Sequence, residues 1–147
     1  MAGFKTVVVA LDSSMLADEV VISIGRLHLE ANAKAVLMQV LPPTNHDTEV
    51  DVTLPSPSGG EAYAQIEQRL LNYQNQLQHL ETQCEIVSGD PAEEIIRLAN
   101  IHQADLIVLG SRGLTGLNRI LQHSVSNQVV EEAPCSVMVV KPRFQNS

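Results

Sequence analysis

The chain is short of positive charge. Nine Lys and Arg stand against seventeen Asp and Glu, a formal net charge of −8 at pH 7. Nucleic acid and anionic membrane surfaces are held by clustered Lys and Arg, so the balance argues against both as partners. A nucleotide ligand would have to be held by local backbone dipoles against the overall field, with help from a bound divalent cation. Cysteine is scarce too. Cys84 and Cys135 lie far apart and form no CxxC pair, so they read as small buried hydrophobes. A disulfide framework and a zinc site are thereby excluded as expectations. No stretch approaches the roughly 20 apolar residues of a membrane span. Phe4-Lys5-Thr6 leads into a short apolar run with no cleavage-site pattern. The expected location is the cytoplasm.

Several chemical motifs are missing. There is no GxxxxGK[ST], which removes a P-loop enzyme. The first strand-to-helix turn lacks GxGxxG, which argues against a dinucleotide Rossmann site. His28, His46, His79, His102 and His123 show no metal-ligand spacing, and no Ser–His–Asp set follows from the spacing.

What is present fits one globular domain over residues 1–147. At 44% hydrophobic content the composition is ordinary. A chain of this length buries about 70% of its unfolded surface without staples. Thr6–Leu11 is a continuous apolar run rich in β-branched residues, the pattern of a strand covered on both faces. Asp12-Ser13-Ser14 then offers N-cap chemistry. The helix after it places Ala17, Val20, Val21, Ile24, Leu27 and Ala31 at helical spacing, with Asp18 and Glu19 near its positive end. Ala33–Leu41 reads as a second buried strand ended by Pro42-Pro43. Residues 43–60 are polar and rich in Pro and Gly, and read as a long, mobile surface loop.

From Glu61 to Glu81, Tyr63, Ile66, Leu70, Tyr73, Leu77 and Leu80 make one apolar stripe on a long helix lying on a sheet. Gln83–Ser88 alternates and reads as a strand near an edge. In Gly89-Asp90-Pro91-Ala92-Glu93, Asp90 is the N-cap, Pro91 sits at N1, and Glu93 completes a capping box. Ala92, Ile95, Ile96 and Ala99 form that helix's buried face. Asp105–Leu109 is an apolar strand that empties into Gly110-Ser111-Arg112-Gly113. Ser124 opens a last helix with Val125, Val129, Val130 and Ala133 facing inward, and Ser136–Val140 is the last strand. Strands and helices alternate, which predicts an α/β fold: a doubly wound, five-stranded parallel sheet with helices on both faces.

In such a sheet ligands bind at the carboxyl ends of strands where the winding reverses. Ala10-Leu11-Asp12 and the Gly110–Gly113 turn both end strands. If those strands are neighbours, Asp12 lies beside the glycine turn. Its carboxylate would then accept from ribose hydroxyls or hold a cation. Equally, it would cap the first helix, a task open also to Ser13 and Ser14.

Val7-Val-Val-Ala-Leu-Asp12-Ser-Ser, Gly89-Asp-Pro-Ala-Glu-Glu-Ile-Ile and Ala104-Asp-Leu-Ile-Val-Leu-Gly-Ser-Arg-Gly-Leu-Thr-Gly-Leu occur in that order, followed by Ser124-Val-Ser and Ala133-Pro-Cys-Ser-Val-Met-Val-Val. Over nearly its whole length the chain resembles the universal stress protein family. The resemblance implies a homodimer paired through the last strand, Ser136–Val140, whose apolar edge carries no guarding charge. It also implies ATP binding, in one branch, through Gly, two residues, Gly, nine residues, then Gly followed by Ser or Thr. Here Gly110, Gly113 and Ser124 keep that pattern, and His123 replaces the last glycine.

By resemblance Asp12, following Ala10 and Leu11, meets the ribose or a magnesium ion carried by the nucleotide. Val40 meets the adenine through its backbone. Gly110, Ser111, Arg112 and Gly113 wrap the ribose and phosphates, and Ser124, Val125 and Ser126 donate to the phosphates. The reading is an adenine-nucleotide-binding module, for ATP or an AMP-type ligand, in a stress response. The alternative is a nucleotide-free dimeric interaction protein of the same family. Slow ATP hydrolysis or self-phosphorylation at Ser111, Ser124 or Ser126 lacks an evident general base.

Overall fold

The computed structural model describes residues 3–12, 16–41, 59–111 and 119–142, and the side chains of all of these but 59–62 and 119–124. Five strands and four helices alternate: β1 (Phe4–Leu11), α1 (Leu16–Ile24), β2 (Leu29–Leu41), α2 (Gly59–Gln76), β3 (Glu81–Ser88), α3 (Pro91–His102), β4 (Leu106–Gly110), α4 (Arg119–Glu132) and β5 (Ser136–Val140). The strands form one sheet in the order β3-β2-β1-β4-β5, with every adjacent pair parallel. The expected α/β fold is therefore the observed one, and Gln83–Ser88 falls on an edge strand as its alternation predicts.

Two cores cover the two faces of the sheet. On one, Val7, Val9, Leu37 and Val108 meet Val20 and Ile24 of α1 and Ile66, Leu70 and Tyr73 of α2. On the other, Val8, Met38, Ile107 and Leu109 meet Ile95 and Leu98 of α3 and Val129 of α4. The period-2 alternation of β1 sends Val7 and Val9 one way and Val8 the other, so all three valines are buried. Burying each such side chain contributes about 1.5–3 kcal/mol.

Several boundaries differ from the sequence expectations. Helix α1 stops at Ile24, and bonds from Gly25, Arg26 and Leu27 to Ile22, Ser23 and Ile24 tighten the chain into a turn. Leu27 and Ala31 therefore lie off that helix, and Ala31 is an exposed residue of β2. Strand β2 starts at Leu29 because it joins β1 across an irregularity: partners advance from Phe4↔Leu29 to Thr6↔Lys34. Helix α2 starts at Gly59, two residues inside the expected 43–60 loop; the rest of that loop lies outside the described residues. On α2 the stripe holds at Ile66, Leu70 and Tyr73, but Tyr63 is 43% exposed. In α3, Leu98 is buried where Ile96 was expected, and Ile96 is half-buried.

Helix α4 begins at Arg119, so Ser124 stands inside it and does not open it. Val130 is 53% exposed, against expectation, because it lies about 100° around the helix from fully buried Val129. Helix α3 opens as its sequence dictates. The Asp90 carboxylate accepts from the Glu93 N–H at 3.0 Å, and Pro91 takes N1. Before it, Gly89 holds φ at 141°, a backbone that side chains disfavour, and donates its N–H to the Leu41 carbonyl.

Candidate functional site

From β1 the chain winds outward through β2 and β3 on one side and through β4 and β5 on the other. The reversal lies between β1 and β4, and their carboxyl ends are Leu11 and Gly110. The condition on which the sequence argument hung is met: those strands are neighbours. Register places their ends on one level. Ala10 pairs with Leu109 on β4, and Leu11 pairs with Gln39 on β2. Continuing the two registers past their last pairs, by one step on the β2 side and two on the β4 side, puts Asp12 level with Val40 and Ser111, at the usual strand spacing of about 4.8 Å.

The structure thus brings Ala10, Leu11, Asp12, Val40, Gly110 and Ser111 to one edge of the sheet. Ser111 donates its N–H to the Val140 carbonyl at 2.9 Å, which ties the start of the glycine turn to the end of β5. Arg112 and Gly113 lie outside the described residues, as do the side chains of His123 and Ser124. Val125 packs against the second core, and Ser126 is a buried polar residue at 7% exposure. With α4 starting at Arg119, the amides left without helical partners at that end belong to residues 119–122 by position.

Gly110 has a packing role. A Cβ there would stand 2.8 Å from Cδ2 and 3.1 Å from Cγ of Leu16. The Leu16 side chain in the first turn of α1 packs directly on Gly110, and a Cβ there would force it to shift.

A polar group that the sequence reading missed lies beneath Asp12. Gln39 is 5% exposed within the otherwise apolar second half of β2, residues 35–41, and its Oε1 accepts from Arg69 Nη2 at 2.8 Å. Four residues on along α2, Tyr73 Oη donates to Asp18 Oδ1 at 2.7 Å. Burial pushes the Tyr73 phenol well above the usual tyrosine range. The hydrogen bond and charge of Asp18 add to this, Arg69 opposes it, and Asp12 adds a little more. The available signal was the glutamine inside the Ala33–Leu41 run, read there only as strand.

Elsewhere, His102 bridges Glu85 Oε2 at 2.9 Å and Lys34 Nζ at 3.4 Å. Asp105 accepts from the Lys5 and Thr6 amides. Cys84 and Cys135, expected to be buried, are half-buried, and that burial raises both thiols above their ordinary range. Among the described residues no three His, Cys, Asp or Glu gather to hold a metal, and no helix is long and apolar enough to cross a membrane.

Residues 3–141 match the family model of the universal stress protein family. Universal stress protein Sll1388 of Synechocystis is 31% identical over 155 residues, covering 95% of this chain and 99% of that protein. Universal stress protein MJ0531 of Methanocaldococcus jannaschii is 51% identical over 57 residues, covering 39% of this chain and 34% of that protein. This chain thus matches about a third of that relative's length. A solved universal stress protein in complex with cAMP is similar at TM-score 0.68 and 25% identity, covering 95% of this chain and 98% of that one. The chain belongs to the universal stress protein family.

Proposed function

We propose that the protein binds an adenine nucleotide at the carboxyl ends of β1, β2 and β4, and acts as a dimeric binding module in a stress response in the cytoplasm. The observation that carries this reading is the alignment of Asp12 between Val40 and Ser111 where the sheet reverses its winding. Val40 offers backbone to the adenine, and the Asp12 carboxylate accepts from the ribose hydroxyls. Gly110 to Gly113 and the hydroxyls of Ser124 and Ser126 serve the phosphates, since Val125 packs in the core and the amides of 124–126 lie inside α4. The similar structure holding cAMP supports an adenine ligand. Among the described residues no group of three His, Cys, Asp or Glu gathers to hold a metal, so magnesium would arrive with the nucleotide. The dimer forms through β5, an edge strand whose Val137, Met138, Val139 and Val140 are half-buried and uncharged.

Calorimetric titration with ATP, ADP, AMP and cAMP in magnesium tests the reading, with Asp12→Ala as control. Saturable heat that Asp12→Ala loses supports it. Absence of heat with all four ligands favours the second reading, a nucleotide-free dimeric interaction protein. What favours that reading is His123, which puts a side chain where the motif of the resembled branch has bare backbone.

A further inference from the structure

Buried polar side chains in a helix–sheet interface carry a desolvation cost that a hydrogen bond only offsets. On the face shared by α1 and α2, the core is otherwise built from Val7, Val9, Leu37, Ile66 and Leu70. Buried Gln39 and the hydroxyl of buried Tyr73 break that pattern, each bonded to a less buried partner: half-buried Arg69 and exposed Asp18. A leucine at 39 and a phenylalanine at 73 would fill the same space without that cost, so stability alone gives no reason for these residue types.

Their placement does. Arg69 and Tyr73 are four residues apart on α2 and share one helix face. Arg69 Nη2 grips Gln39, the residue beside Leu11 in the β1–β2 ladder. Tyr73 Oη grips Asp18, in the first turn of α1. Asp12 lies between Leu11 and α1 in the chain. One face of α2 therefore holds the end of β2, which is paired with the end of β1, and the start of α1, each by a directional bond under 3 Å.

We infer that Arg69 and Tyr73 are positioning residues: Arg69 braces the end of β2 against which β1 ends, Tyr73 braces the start of α1, and together they preset the Asp12 carboxylate toward a ribose. This rests on the nucleotide reading proposed above, but the brace itself is testable without ligand. The chemistry suits an acidic chain. A guanidinium inside the brace offsets the field of Asp12 and Asp18, which otherwise crowd two carboxylates near one phenol.

The experiment uses Tyr73→Phe and Arg69→Gln in the full chain, with Ile95→Val as a control in the opposite core, where Ile95 is buried on α3. Amide hydrogen exchange of the ligand-free protein is read first. Exchange at Leu11, Asp12 and the first turn of α1 should rise in both brace variants and stay at wild-type level in Ile95→Val. Nucleotide affinity is read next. Loss of one charged-group hydrogen bond predicts about tenfold weaker binding in Arg69→Gln, with wild-type affinity in Ile95→Val.

Unchanged exchange around Asp12 in both brace variants overturns the inference. So does wild-type affinity in both when the wild-type protein binds nucleotide. A wild-type protein that binds nothing, with exchange raised as described, overturns the nucleotide reading and leaves the brace standing.

Discussion

Gly110 and Leu16 meet where β4 ends and α1 begins: a Cβ on residue 110 would lie 2.8 Å from the Leu16 side chain. Overpacking costs about 1–3 kcal/mol. Gly110→Ala should lower stability by that amount in urea unfolding. Because Leu16 is the group in the way, Leu16→Ala combined with Gly110→Ala should lose less than the sum of the two single changes. Strict additivity would show that residue 110 is glycine for another reason.

The cap of α3 is a local prediction. The Asp90 carboxylate serves the Glu93 amide, and removing such a cap costs about 1 kcal/mol. Asp90→Ala should lower the melting temperature, while Asp90→Ser should restore most of the loss. Equal melting temperatures for Asp90→Ala and wild type would discount the cap.

Tyr73 sets a dependence at high pH. Its folded phenol is raised above the ordinary value of 10.0 by burial first and by Asp18 second. The folded state therefore holds this proton more tightly than the unfolded chain. The contribution is intact below pH 10 and is lost as pH climbs from there toward the folded value. Cys84 and Cys135 act in the same direction from 9.0. Stability should fall steeply above pH 10, and Tyr73→Phe should flatten that fall. A Tyr73→Phe profile parallel to wild type over pH 9–11.5 would refute the assignment.

His123→Gly restores the glycine that the motif of the resembled branch carries. If the imidazole obstructs phosphate, this variant should bind ATP more tightly, by about tenfold for 1.4 kcal/mol, with a smaller gain for AMP. Weaker ATP binding in the variant would instead make the imidazole a donor to phosphate.

Much of the fold was legible because its signals are local. The Thr6–Leu11 run announces a strand buried on both faces, and Asp90-Pro91-Ala92-Glu93 announces a helix start by capping chemistry alone. The failures are equally specific. Leu27 and Ala31 fit a helical period but left α1, because pairing with β1 draws the chain into β2 from Leu29 onward. Ser124 carries N-cap chemistry yet lies inside α4. Gln39 gave no sign of its partner, since Arg69 is 30 residues away.

By itself the sequence determined the alternation of strands and helices, the family, the acidic balance and the residue types at each strand end. Those follow from side-chain periodicity, backbone propensity and charge, all properties of neighbours along the chain. Only the tertiary structure decided that β1 lies between β2 and β4, which brings Asp12 level with Val40 and Ser111, and that α2 bonds both the end of β2 and the start of α1. Strand order is chosen by which apolar faces bury each other across long loops, and no local pattern encodes that choice.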